Sequence, residues 1–149
     1  MKEYKNKIPD AQNTTILSFA YMYEYICDIV NFCENNNYDF DRIRKDKMSA
    51  HGLVQCLAMI GEHAKTIRDK DPEFTENTVL PIHEMVGMRN RIEHQYKKID
   101  WGIIEETIRQ SIPQLKKYIE DNIHEDVLND PYILYEVSYG DYINIKSNN

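Results

Sequence analysis

The sequence predicts an all-α fold, specifically an antiparallel four-helix bundle, and three observations predict it. Apolar residues recur every three or four positions over long stretches, the spacing that lines one face of a helix. Breakers are sparse, with five Gly and five Pro in 149 residues, so the chain has few of the turns that many short strands would need. The periodic stretches are joined by short connections, which makes consecutive helices antiparallel neighbours.

Residues 1–12 are polar and are read as a loosely ordered lead-in. Asn13-Thr14 can cap a first helix, along which Ile16, Phe19, Tyr23, Ile26, Val30 and Cys33 form an inner stripe of about six turns. Asn35-Asn36-Asn37 ends it. Asp39 to Lys47 is charged, mixed in sign, and read as a connection. Asp46 then caps a second helix with Leu53, Cys56 or Leu57, Ile60, Ala64 and Ile67 inward. Gly52 and Gly61 inside it weaken it, and close packing against a neighbour would explain both. Asp71-Pro72 breaks this helix. A third starts near Asn77 or Thr78, holds Pro81 in its first turn, and runs to about His94. Asp100 caps a fourth, whose stripe of Trp101, Ile104, Ile108, Ile112, Leu115, Ile119 and Ile123 is the cleanest in the chain. Pro113 within it predicts a bend. The bundle is assigned to residues 1–130. Residues 131–149 form a tail whose alternating Tyr132 to Tyr139, Gly140-Asp141 and Tyr142 to Ile145 read as a short β-hairpin or an extended segment.

Hydrophobic residues make up 42% of the chain, enough for a core without disulfides or metals. The net charge of −7 argues against broad nonspecific nucleic-acid binding, which needs many phosphate-contacting Lys and Arg, but it leaves room for a local basic site. Cys27, Cys33 and Cys56 are odd in number and contain no CxxC pair, so they read as reduced, packed thiols. With no signal-peptide pattern and no apolar run of the ~20 residues that cross a bilayer, a cytoplasmic location is expected. His51 and His63 are twelve residues apart, unlike the HExxH pair, and they and His124 read as surface or packing residues. There is no Gly-rich phosphate loop, GxSxG or Asp-rich cluster, so neither metal nor cofactor is expected.

The chemistry concentrates in residues 89–96, Arg-Asn-Arg-Ile-Glu-His-Gln-Tyr. At about 100° per residue, His83, Gly87, Asn90 and His94 share one stripe of the third helix. Met85, Met88 and Ile92 share the opposite one, which is read as the core face. Arg89 and Tyr96 share a third direction. Arg89 and His94 lie about 140° apart on a regular helix. They converge only if the helix loosens, if the Arg side chain wraps round, or if two chains share the site. Arg and His are what metal-free RNA cleavage needs. His takes the 2′-OH proton or gives one to the leaving oxygen, and Arg grips the phosphate and the charge that builds on it. Asn90 can orient either partner. The competing reading is a solvated helix face on which Arg89 and Glu93 form an ordinary i,i+4 ion pair. Glu62 either faces the third helix and orients Arg89 or is an exposed charge. His83 either lines the cleft or is solvated. Arg91, Lys97 and Lys98 either guide RNA or simply favour the C-terminal end of the helix dipole.

Arg89, Asn90 and His94 match the pattern of Arg, a polar residue and, four to six positions after the Arg, His. In this the segment resembles the HEPN ribonuclease superfamily. With Tyr96 two residues after His94 it resembles more closely the HepT toxins. Gly87 to Ile92, Ile99-Asp100, and Ile60-Gly61-Glu62-His63-Ala64 on the second helix extend the likeness over about residues 14–123. The resemblance implies a homodimer that pairs its third-helix motifs into a shared, metal-independent RNA-cleaving cleft, with Arg89, His94 and Asn90 catalytic; Glu62, Arg91 and Lys97 are candidates to support it on the open readings given above. It implies the toxin half of a type VII-like toxin–antitoxin pair. The partner would be an MntA-like nucleotidyltransferase antitoxin that transfers AMP to Tyr96, placing a phosphate where it competes for Arg89. The alternative is a non-catalytic HEPN module that partners a nucleotidyltransferase or binds a nucleotide on the same stripe.

Overall fold

A computed structural model of the chain describes residues 11–134. The helices are α1 (Asn13–Asn35), α2 (Phe40–Lys45), α3 (Lys47–Lys70), α4 (Pro72–Asn77), α5 (Ile82–His94), α6 (Trp101–Glu106), α7 (Ile112–Asn122) and α8 (Glu125–Asn129). A π-helical turn (Thr107–Ser111) joins α6 to α7, so residues 101–122 act as one long helix. With α1, α3 and α5 this makes the four long helices of an all-α bundle, and no strand occurs among the described residues. The hairpin or extended segment expected over 131–149 lies outside the described residues from 135 on, and its first four residues are not extended. Pro131–Leu134 is a 3-10 turn, with Pro131 buried and Ile133 packed against the core. No described helix is long and apolar enough to cross a membrane.

Most of the apolar periods become the core, but Tyr23, Val30 and Trp101 of the expected stripes are only half-buried, and Met22 and Ile29 take the inward places on α1. Phe19, Met22, Ile26 and Ile29 of α1 meet Ile67 of α3, Ile82 of α5 and Ile104, Ile108 and Ile119 of the last long helix, all essentially shut off from water. The second helix resolves its ambiguity in favour of Leu57, which is buried while Cys56 is half-buried. Cys27, Cys33 and Cys56 are free thiols. Burial pushes the Cys33 thiol up to about 11, so it stays protonated.

Local polar contacts set the antiparallel register. The Asp71 carboxylate, buried at the end of α3, accepts from the Gln12 backbone N–H at 3.0 Å and the Thr15 hydroxyl at 2.6 Å at the start of α1. It also caps α4 by accepting from the Phe74 N–H at 3.3 Å. Tyr23 donates to Glu120 at 2.7 Å, tying α1 to α7. Arg109 lies over the Tyr38 and Phe40 rings at 5.7 and 4.9 Å and bonds the Tyr38 carbonyl at 3.1 Å. That carbonyl sits in the turn after α1, where Asn37 and Tyr38 both take positive φ.

Several expectations need correction. Asp39–Lys47 is not a plain connection, because Phe40 and Ile43 bury themselves on one short helical turn capped by Asp39. Asp71-Pro72 ends α3 but also starts α4, whose Phe74 and Thr75 are buried. The third long helix therefore begins at Ile82, with Pro81 at its N-cap. Its buried line is Ile82, Val86 and Ile92, while Met85 and Met88 are only half-buried. Pro113 has no N–H to donate back to the previous turn, and the π-helical turn before it absorbs the irregularity.

The two glycines of α3 differ. Around Gly52 nothing would touch a Cβ, so close packing does not explain it. On Gly61 a Cβ would lie 2.5 Å from Arg89 Cβ and 2.7 Å from the Met85 carbonyl oxygen. Gly61 is therefore what lets α5 seat its backbone directly on α3.

Candidate functional site

Gly61 and Glu62 together place Arg89. With no side chain at 61, α5 approaches closely, and the next residue reaches the guanidinium. Glu62 Oε2 accepts from Arg89 Nε at 2.6 Å. The reading of Glu62 left open by the sequence thus resolves toward contact with Arg89. Asn90 Oδ1 accepts from Arg89 Nη1 at 2.9 Å, and Glu93 Oε1 lies 3.0 Å from Nη2. Asn90 is thereby joined to Arg89 rather than to a histidine. Of the five guanidinium N–H donors, three point at these acceptors and two remain for a phosphate. The Arg89 side chain is 17% exposed, so the guanidinium is held rather than waving in solvent.

His94 ends α5 and is exposed, with no hydrogen bond or ion pair among the described residues. The helix stays regular from Arg89 to His94, and Arg89 turns onto α3. One chain therefore does not bring the two together. His83 is exposed as well.

Tyr96 departs from the helical wheel because the helix has already stopped. Gln95 closes α5 by donating its N–H to the Arg91 carbonyl, and Tyr96–Lys98 is a 3-10 turn. This turn swings Tyr96 toward the early part of α3, where its hydroxyl bonds His51 Nδ1 and the two rings sit 5.2 Å apart. Glu62 and His51 are eleven residues apart on α3, a rise of about 16 Å. Within one chain Tyr96 is therefore not beside Arg89, contrary to the shared direction read from the wheel.

The three basic residues of the motif also separate. Lys97 joins Arg44 and Lys47 around the Tyr96 cavity. Arg91 and Lys98 line a different cavity with Met88 and Asp100. Next to them runs an open apolar groove of about 310 Å³ between α5 and the last long helix, walled by Leu57, Ile60, Met85, Met88, Ile103 and Ile112. The half-buried methionines of α5 belong to this groove.

Sequence reasoning did not connect Arg44, Lys47 and His51 to the motif. Pairing Gly61 with Arg89 across antiparallel helices would have brought the region of residue 51 opposite the segment just after His94. Nothing in the sequence fixed that register.

Two other histidines fill structural roles. His124 Nδ1 accepts the Asp126 N–H at 3.1 Å, capping α8. His63 is half-buried between Tyr21 and Tyr25, at ring distances of 5.3 and 6.1 Å. Burial lowers its pKa below the ordinary 6.5, against an opposing pull from Glu62. Because the folded state holds the His63 proton more weakly than the unfolded chain does, its contribution to stability is intact above about pH 6.5 and is lost as pH falls below that. Urea midpoints are expected to drop between about pH 7.5 and pH 5.5, and His63→Leu is expected to flatten part of that drop.

The family model described as HepT-like, Ribonuclease HepT-like, matches residues 22–121, a span that includes Glu62, Arg89, Asn90, His94 and Tyr96. The chain belongs to the HepT-like ribonuclease family. Among relatives, "Putative RNase MJ1216" of Methanocaldococcus jannaschii is 35% identical over 115 residues, covering 74% of this chain and 88% of its own length. "Putative RNase MJ0125" of the same organism is 32% identical over 113 residues, covering 71% and 90%. "Probable ribonuclease HepT" of Thermococcus cleftensis is 28% identical over 81 residues, covering 54% and 72%. No solved structure matches the HepT-like chain.

Proposed function

We propose that the chain is a metal-independent endoribonuclease toxin of a type VII-like toxin–antitoxin pair. His94 is its acid–base group, Arg89 its phosphate binder, and Asn90 and Glu62 hold Arg89 in place. The observation that carries this reading is the built seat of Arg89, a guanidinium held by Glu62, Asn90 and Glu93 with two donors left over, five residues before an exposed histidine. A 2′-OH attack needs its proton removed and the charge on the phosphorane held, which His and Arg supply without a metal ion. The direct test is incubation of RNA with purified protein in EDTA. Cleavage with 2′,3′-cyclic phosphate ends is expected, and loss of all cutting in EDTA would remove the metal-independent assignment.

The active form is a cytoplasmic homodimer. One feature supports the dimer: Arg89 and His94 diverge on one regular helix, so a single chain does not complete the pair. A second α5 brought against the first would let one chain's His94 meet the other chain's guanidinium.

The neutralising partner is an MntA-like nucleotidyltransferase antitoxin that adds AMP to Tyr96. Tyr96 is 40% exposed, so its hydroxyl is within reach of such an enzyme. Because it contacts α3 about 16 Å from where Arg89 does, the added AMP acts across a dimer or on the RNA path, not on the guanidinium beside it. Co-expression with such a partner is expected to add AMP mass to the chain, and Tyr96→Phe is expected to abolish the addition.

One observation favours the second reading, a non-catalytic module. Both Glu62 and Glu93 already neutralise Arg89. That reading expects partner binding to survive Arg89→Ala and His94→Ala, with no cleavage of any RNA pool.

A further inference from the structure

Away from the Arg–His motif, the described residues gather positive charge around a second cavity. It measures about 280 Å³ and opens between the α2–α3 corner and the segment from Tyr96 to Trp101. Arg44, Lys47 and Lys97 bring three cations to its wall, in a chain whose net charge is −7. His51, Tyr96 and Trp101 supply the flat faces.

This charge is poorly compensated by the fold itself. Lys47 is the first residue of α3, and the first turn of that helix contains no acidic residue. Asp46 holds the N-cap position but makes no capping bond, since its carboxylate takes the Ser49 hydroxyl at 2.8 Å. A cation thus sits at the positive end of a helix dipole, where an anion is favoured. Arg44 has an acidic partner in Asp41 at 3.4 Å, but the two side chains are 50% and 81% exposed, and solvent screens such a pair. Three cations gathered on one wall, with only exposed carboxylates nearby, favour an anion there.

The rings narrow the choice of anion. Tyr96 and His51 are locked together by their hydrogen bond at a 36° interplanar angle, and Trp101 stands on the same wall. Aromatic faces next to cations suit a base or ribose attached to a phosphate. The volume is near the lower end for small-ligand pockets, which begin at roughly 300 Å³, so it fits one nucleotide and not a folded strand.

We propose that this cavity is a nucleotide-phosphate site, with the phosphate between Arg44, Lys47 and Lys97 and the base against Trp101. The nucleotide comes either free, as a mononucleotide, or as one residue of a single-stranded RNA. The site shares Tyr96 and Lys97 with the proposed toxin reading but not Arg89 or His94, and its binding stands whether or not the chain cuts RNA.

Trp101 is the only tryptophan, so its emission reports this cavity. The full chain is titrated with AMP and, in parallel, with a short oligoadenylate, following both heat and Trp101 fluorescence. Saturable binding that changes the emission and weakens with salt is expected. Arg44→Glu combined with Lys47→Glu is expected to weaken it at least tenfold, and Lys97→Glu, on a different element, to weaken it in the same direction. Arg68→Glu, near the other end of α3, is expected to leave it unchanged. Tighter binding of AMP assigns the site to a free nucleotide, and tighter binding of the oligomer to RNA; either upholds it. No saturable binding of either ligand overturns the proposal. So does heat without a change in emission, or equal weakening by Arg68→Glu.

Discussion

His94→Ala is expected to lower RNA cleavage by roughly 10²–10⁴-fold, the range that a positioned acid–base group contributes. His94 is exposed and carries no hydrogen bond among the described residues, so its removal takes nothing from the fold. The melting temperature is expected to stay within a degree or two of the parent, since surface substitutions away from special features cost about 0.5 kcal/mol or less. The expected kinetic signature is a fall in kcat with little change in KM, because an acid–base imidazole would act on protons that move only in the transition state. Mixing adds a sharper readout. If the site is shared across a dimer, an inactive His94→Ala chain and an inactive Arg89→Ala chain are expected to regain part of the activity when co-folded, because one of the two clefts then holds an intact pair. Cleavage undiminished in His94→Ala would remove His94 from the chemistry. Absent complementation with both variants dimeric would place the working pair within one chain.

The bundle was legible because long helices announce themselves. The stripe from Ile104 to Ile123 runs over five turns, and each member is buried. The short helices were not legible, because α2 and α4 bury two side chains each, too few to show a period. Arg89, Asn90 and His94 stood out as a motif, but their arrangement did not. The wheel gave Arg89 and Tyr96 one direction by continuing a helix that ends at His94, and the 3-10 turn sends Tyr96 to His51 instead. The same wheel gave Met85 and Met88 to the core, whereas the bundle leaves that side of α5 open as a groove. Arg44 and Lys47 looked like a charged connection, because what makes them part of a cavity is the register of α3 against α5. One glycine sets that register, and its spacing in the sequence says nothing about its partner.

Gly61→Ala is expected to be the most costly single-methyl substitution near the motif. The new Cβ would meet Arg89 Cβ at 2.5 Å and the Met85 carbonyl oxygen at 2.7 Å, both well inside contact distance. Neither can swing away like the end of a long side chain, since one is a carbonyl of the α5 backbone and the other is bonded directly to it. Alanine favours a helix over glycine by about 1 kcal/mol, so a merely local effect would stabilise α3. The clash reverses that sign. Overpacking of this kind costs about 1–3 kcal/mol, and α5 can escape only by sliding or lifting off α3. At about 2–4 °C per kcal/mol for a chain of this size, a fall of several degrees in melting temperature is expected. Lifting α5 also takes the Arg89 Nε away from Glu62, whose bond is 2.6 Å in the parent, so cleavage is expected to fall further than stability alone explains. Glu62→Gln separates the two effects. It keeps the close approach of the helices and removes only the charge on the Arg89 anchor, so it is expected to hold the melting temperature nearly constant while lowering cleavage. Gly52→Ala, where nothing would touch the added methyl, is expected to raise the melting temperature slightly. If Gly61→Ala were as stable as Gly52→Ala, the direct seating of α5 on α3 would be wrong, and with it the register that joins Tyr96 to His51.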